Sequence, residues 1–128
     1  MKSPARHIKF SSQGNMDVRE TLSLDDPESF RRWLQKHHQT KIEIWLIFYK
    51  KTSGQQTLTI AQAVDEALCF GWIQSRLKPL DPQRFAVRFS PRHKGSYWSL
   101  PNLKRIRRLT AEGRMTEAGR AVLPPDFL

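Results

Sequence analysis

The run IEIWLIFYKK, residues 42–51, constrains the fold more than any other stretch of the chain. It is almost continuously apolar and rich in β-branched and aromatic residues, and Ser53 and Gly54 punctuate its end. The run is too short to span a bilayer, which takes about 20 apolar residues. It reads as a central strand buried on both faces, so the rest of the chain must cover a sheet. At 128 residues the sequence is the size of one domain, large enough to bury its own core without disulfides or metal.

The flanking segments supply the cover. Thr21 to Leu24 alternates polar and apolar residues as a short strand does, and Asp26 followed by Pro27 is an N-cap with proline at the first helical position. Phe30, Trp33, Leu34 and His37 then form one stripe on a helix of about three turns. Thr59 and Gln62 stand at capping-box spacing, and Ile60, Ala63, Val64, Ala67 and Leu68 repeat at helical intervals up to Gly71. WIQSRLKPL reads as a strand, Asp81 and Pro82 as a turn, and Arg84 to Ser90 as the second strand of an antiparallel hairpin. Ser99 caps a helix with the stripe Leu103, Ile106 and Leu109, Thr116 caps a last short helix, and Pro124 with Pro125 stops it.

The expected fold is therefore a single α+β domain over residues 20–128, with an antiparallel or mixed sheet of about four strands, three main helices and a short C-terminal helix. Residues 1–19 are polar and basic with few apolar positions and read as a flexible tail. No apolar run has the length of a signal-peptide core or a transmembrane segment. One cysteine cannot form an intramolecular disulfide and fits a reducing compartment, so the expected location is cytoplasmic.

Charge is unevenly spread. From Arg84 to Arg120 ten arginines and lysines face only Glu112 and Glu117, so +8 of the net +10 sits in the last third of the chain. Such a field attracts an anionic small molecule, an acidic peptide, an acidic surface or nucleic acid, in a salt-dependent way. No helix-turn-helix or RNA-binding signature accompanies the basic region 84–120, so nucleic-acid binding rests on charge alone.

Within DEALCFGWIQSR, residues 65–76, Cys69 sits in the last turn of its helix, where the dipole and the preceding Asp65 and Glu66 favour the thiol over the thiolate. It reads as a buried structural cysteine. Asp65 borders the apolar stripe and reads either as an ion-pair partner for Arg76 or Arg88 or as a ligand-facing carboxylate. His37 and His38 diverge on their helix with no further ligand at metal spacing, and no phosphate-cradling glycine loop or nucleophile elbow is present. No metal or cofactor is expected, and an enzyme using Asp65 or Cys69 stays a minority reading.

The segment RFSPRHKGSYWSLPN, residues 88–102, holds the most unusual local chemistry. Arg88, Arg92, His93 and Lys94 offer cationic donors, Ser90, Ser96, Ser99 and Asn102 offer neutral ones, and Trp98 with Tyr97 offers flat apolar faces just before a helix N-terminus. That set suits an anion with an apolar or planar body. The alternative is a loop tied to the sheet by serine caps and a core tryptophan, with its arginines solvated. The candidate ligand-binding residues are Asp65, Trp72, Arg88, Ser90, Arg92, Ser96, Trp98, Ser99 and Asn102.

The order FRRWLQKHH, IWLIFYKK, AVDEALCFGWI, RFSPR with YWS and Asn102, then EGRMTEAG resembles the YdeI/OmpD-associated family, also called bacteriocin-protection proteins, across residues 24–122. The resemblance implies a small bacterial α+β protein linked to tolerance of bacteriocins or antimicrobial peptides, with no established enzyme chemistry. Gln74 and Ser75 replace the Asp-Gly pair usual in that family, and longer members continue into a helical C-terminal segment where this sequence ends at PPDFL.

Overall fold

The computed structural model describes residues 5–9 by their backbone and residues 20–55, 58–125 and 127 in full. The chain runs through β1 (Ala5–Lys9), β2 (Glu20–Leu24), α1 (Pro27–His37), β3 (Ile44–Tyr49), a 3-10 turn (Lys51–Ser53), α2 (Ile60–Cys69), β4 (Trp72–Pro79), β5 (Arg84–Pro91), α3 (Leu100–Ala111) and α4 (Glu117–Ala121). The strands form one mixed sheet in the order β1-β2-β3-β5-β4. β2 and β3 are parallel, as the α1 crossover between them requires, while β3 pairs antiparallel with β5 and β5 antiparallel with β4. β4 therefore runs parallel to β3, and α2 makes a second crossover that passes over β5. The expected α+β single domain is what forms.

The start of the chain departs from the expectation. Ala5–Lys9, assigned from composition to a tail outside the fold, pairs antiparallel with β2 from Ala5 opposite Leu24 to Lys9 opposite Glu20, giving a fifth strand. An edge strand is held by its backbone ladder and commonly carries basic residues, so a low apolar content does not exclude it. The remaining residues of that expected tail lie outside the described ones.

Local signals account for the helices. The Asp26 side chain accepts from the Ser29 backbone N–H at 2.8 Å, and Thr59 and Gln62 complete a reciprocal capping box at the start of α2. β3 is buried on both faces, as its composition demands. Its Ile44, Leu46 and Phe48 join Leu22, Leu24, Val87 and Phe89 under α1 and α2, in a core where Phe30 meets Phe89 edge-on at 5.5 Å and Trp33 meets Trp72 edge-on at 5.7 Å. Each such aromatic pair adds about 0.5–1.5 kcal/mol beyond its burial. Trp45 and Ala86 point the other way and form a smaller buried cluster with Leu80 that contains no helix residue. The sheet thus has a helix face and an opposite face.

Two close approaches explain the DEALCFG and EGRMTEAG blocks. Gly71 turns the chain out of α2 with φ +77°, and a Cβ there would lie 2.9 Å from the Ala118 carbonyl oxygen. A Cβ on Gly119 would overlap the Cys69 carbonyl, which already accepts from the Thr116 hydroxyl at 2.6 Å and from the Thr116 backbone N–H at 3.0 Å. Glycine at both positions lets α4 seat directly on the end of α2.

Candidate functional site

The opposite face of the sheet carries a cavity of about 590 Å³ at the end of the β4–β5 hairpin. Its floor is set by the pleat: Arg88 and Ser90 alternate along β5 on the side away from the helices, and Ile73 lies across from Ser90 on β4. Ile42, just before β3, and Tyr97, in the turn that follows β5, give the cavity an apolar rim. They are 74% and 85% exposed, two of the few large apolar side chains that the fold leaves in water.

Arg92 is the unusual group in this cavity. It continues the Arg88, Ser90 alternation, its backbone N–H is fixed on the Gly71 carbonyl at 2.8 Å, and the residue is only 8% exposed. Its guanidinium lies over the Trp98 ring at 3.7 Å from the centroid, and one terminal nitrogen donates to the Tyr97 carbonyl at 2.9 Å. Among the described residues its Nε–H has no partner and no carboxylate is paired with it. Burial depresses its pKa below the ordinary arginine value, the direction in which desolvation moves an uncompensated cation. An arginine stays protonated even so, which leaves a buried positive charge without a counter-charge. Arg88 beside it is different: it donates to Glu43 and, at 3.2 and 3.4 Å, to the Ser75 and Ser90 hydroxyls.

Four of the sequence candidates, Arg88, Ser90, Arg92 and Ser96, therefore line one cavity, with Trp98 stacked on Arg92. The Ser96 hydroxyl donates to the His93 carbonyl at 2.6 Å and shapes the turn. Trp72 is core, 1% exposed. Ser99 accepts from the Asn102 backbone N–H at 3.3 Å, so this pair caps α3 and does not reach the cavity. Ile42 and Ile73 in the lining, and Glu43 behind it on Arg88, were missed because pairing across three strands brings them in, which no local spacing reports.

Asp65 belongs to a separate cluster between the helices. Its expected partners on the hairpin, Arg76 or Arg88, are replaced by two from α3: Arg105 at 3.1 Å, and Arg108, whose one nitrogen reaches both carboxylate oxygens at 2.9 Å. The residue next to it is the buried one. Glu66, 5% exposed, takes Arg31 of α1 at 3.0 Å and Arg114, beyond α3, at 2.7 Å. Burial alone would depress the Arg31 guanidinium, but hydrogen bonds to Glu66 and to Cys69 outweigh it and hold its pKa above the ordinary value. Cys69 is wholly enclosed, and desolvation raises its thiol pKa against the opposing pull of Arg31. The thiol is therefore neutral and inaccessible, the reverse of a nucleophile.

The pairing also changes the meaning of the basic last third. Arg84 is tied to Asp81, Arg88 to Glu43, Arg105 and Arg108 to Asp65, and Arg114 to Glu66 and Glu112. Among the described residues no cluster of His, Cys, Asp or Glu is arranged to hold a metal ion, and no helix is long and apolar enough to cross a membrane.

These features describe a small α+β domain whose sheet carries a cavity in which Arg92 has no carboxylate partner among the described residues. The chain belongs to the family described as a domain of unknown function, DUF8412, whose model matches residues 22–122. No curated protein and no solved structure matches it.

Proposed function

We propose that the protein is a non-enzymatic binding module that holds an anionic ligand with an apolar or planar body in the cavity of Arg88, Ser90, Arg92 and Ser96. One observation carries the reading: Arg92 is buried, stacked on Trp98 and has, among the described residues, neither a carboxylate nor a partner for its Nε–H. A charge kept in that state destabilises the free protein unless a ligand completes it. The resemblance to bacteriocin-protection proteins fits a protective role for such a module, and the enclosed lone thiol fits the reducing cytoplasm. Asp65 and Cys69, on which an enzymatic reading would depend, are occupied by arginines or sealed from solvent.

Thermal unfolding in the presence of a panel of small organic and inorganic anions tests the reading. A ligand present at 100 times its Kd stabilises by about 2.7 kcal/mol, and the upward shift is expected to vanish in Arg92→Gln and to shrink in Trp98→Ala. Shifts that survive both substitutions, or no shift with any anion, contradict it. Steep loss of the response with added salt and a preference for oligonucleotides would favour the basic helix α3 as a nucleic-acid surface instead.

A further inference from the structure

The charge balance of the cavity selects among anions. Of its two arginines, Arg88 is already neutralised by Glu43, whose side chain is only 16% exposed, and both groups stay tied to the Ser75 and Ser90 hydroxyls through Arg88. Lys94 sits on the exposed turn and does not line the cavity. Of the two arginines that line the cavity, Arg92 alone keeps its positive charge uncancelled, while Glu43, bonded to Arg88 behind the lining, cancels the other.

The apolar part of the cavity is equally specific. Ile42, Ile73 and Tyr97 line it, and the first and last are largely exposed, so the ligand must bring an apolar body to cover them. The guanidinium of Arg92 has Trp98 on its face, the Tyr97 carbonyl on one terminal nitrogen and its Nε enclosed, so its other terminal nitrogen is the one left for an acceptor group.

Resting on the anion-binding reading, we infer that the ligand is an amphiphilic monocarboxylate: a single carboxylate for the remaining terminal nitrogen of Arg92, joined to an apolar aromatic or aliphatic body that lies on Ile42, Ile73 and Tyr97. Doubly charged phosphate esters are discriminated against, because the second charge finds Arg88 already paired and Glu43 beside it. Glu43 is thus a specificity residue that sets the charge of the ligand without touching its body.

Calorimetric titration at pH 8 with 3-phenylpropanoate, phenyl phosphate and the neutral 3-phenylpropanol tests this. The wild-type protein is expected to bind the carboxylate at least tenfold more tightly than phenyl phosphate and to bind the alcohol weakest of the three. Glu43→Gln, which frees the charge of Arg88, is expected to narrow or reverse the preference in favour of phenyl phosphate, while Arg92→Gln removes binding of both anions. Phenyl phosphate binding as tightly as the carboxylate to the wild-type protein, or a preference unmoved by Glu43→Gln, overturns the inference and leaves the anion site standing. Equal binding of acid and alcohol, or binding of none of the three, overturns the anion reading itself.

Discussion

Arg92 and Arg114 stand 22 positions apart in the same basic third of the chain, and they have opposite surroundings. Arg114 reaches the buried Glu66 at 2.7 Å and Glu112 at 3.0 Å, and its pKa lies above the ordinary value even though burial pulls it down. Arg92 is more enclosed, has an aromatic ring and a carbonyl for company, and its pKa falls. The first arrangement closes on itself: Arg31 and Arg114 grip Glu66, and Arg105 and Arg108 grip Asp65, so α1, α2 and α3 are fastened at one end. The second is open. Net charge near a residue says little about its role; whether the fold has already supplied its counter-charge says much more.

The contrast can be broken most severely at Glu66. Glu66→Gln leaves Arg31 without its counter-charge and Arg114 with only the more exposed Glu112. Because Arg31 and Arg114 keep 28% and 33% of their side-chain exposure, the expected loss is about 2–3 kcal/mol, below the figure for a fully buried pair. Thermal unfolding would register a fall of roughly 10 °C; a change within a degree or two would mean that the clamp does not hold the helices.

Asp65→Asn acts on the more solvated half of the same cluster. With Arg105 and Arg108 33% and 45% exposed, solvent screening limits the loss to about 0.5–1 kcal/mol. Chemical denaturation should resolve it, and a loss as large as that of Glu66→Gln would erase the distinction between the buried and the solvated pair.

Cys69 gives a weaker, pH-dependent effect. Its thiol pKa is raised in the folded state, so the folded chain keeps a proton that the unfolded chain releases. The associated stability is present below the unfolded thiol pKa and is lost as pH rises through the folded value, which places the decline above about pH 8.5. Replacing the residue by alanine should flatten that alkaline decline. In the folded wild-type protein, iodoacetamide should label Cys69 no faster than the chain unfolds, and rapid labelling at neutral pH would restore the nucleophile reading.

The smallest effect on stability is expected where the effect on function is largest. Arg92→Met replaces the stacked guanidinium with an unbranched apolar side chain and removes the uncompensated charge, so the ligand-free protein should be unchanged or up to about 1 kcal/mol more stable. A clear destabilisation would place Arg92 with the structural arginines and end the contrast.

Much of the frame was legible in the sequence because its signals are local. Asp26 before Pro27, the Thr59–Gln62 box, the β3 run and the hairpin of β4 and β5 each announce themselves within a few residues. That Arg88, Ser90 and Arg92 of the segment 88–102 gather on one side was also readable, since they share a face by simple alternation. What escaped was pairing at long range. Asp65 meets arginines forty and forty-three positions away, and the burial of Glu66 depends on Arg31 from α1 and Arg114 beyond α3. Helical periodicity cannot tell which flank of an apolar stripe a later helix will cover. The strand at Ala5–Lys9 escaped for another reason: an edge position makes few demands on side chains.

The central claim, that Arg92 is held ready for an anion while the other arginines are not, is tested most directly by observing guanidinium Nε–H resonances of the uniformly labelled protein during titration with 3-phenylpropanoate. The predicted result is a saturable displacement of the Arg92 signal, with the Trp98 indole signal moving in step and those of Arg31, Arg108 and Arg114 staying in place. An Arg92 signal that does not move at saturating ligand, or displacements that fall on the arginines of α3, would contradict it.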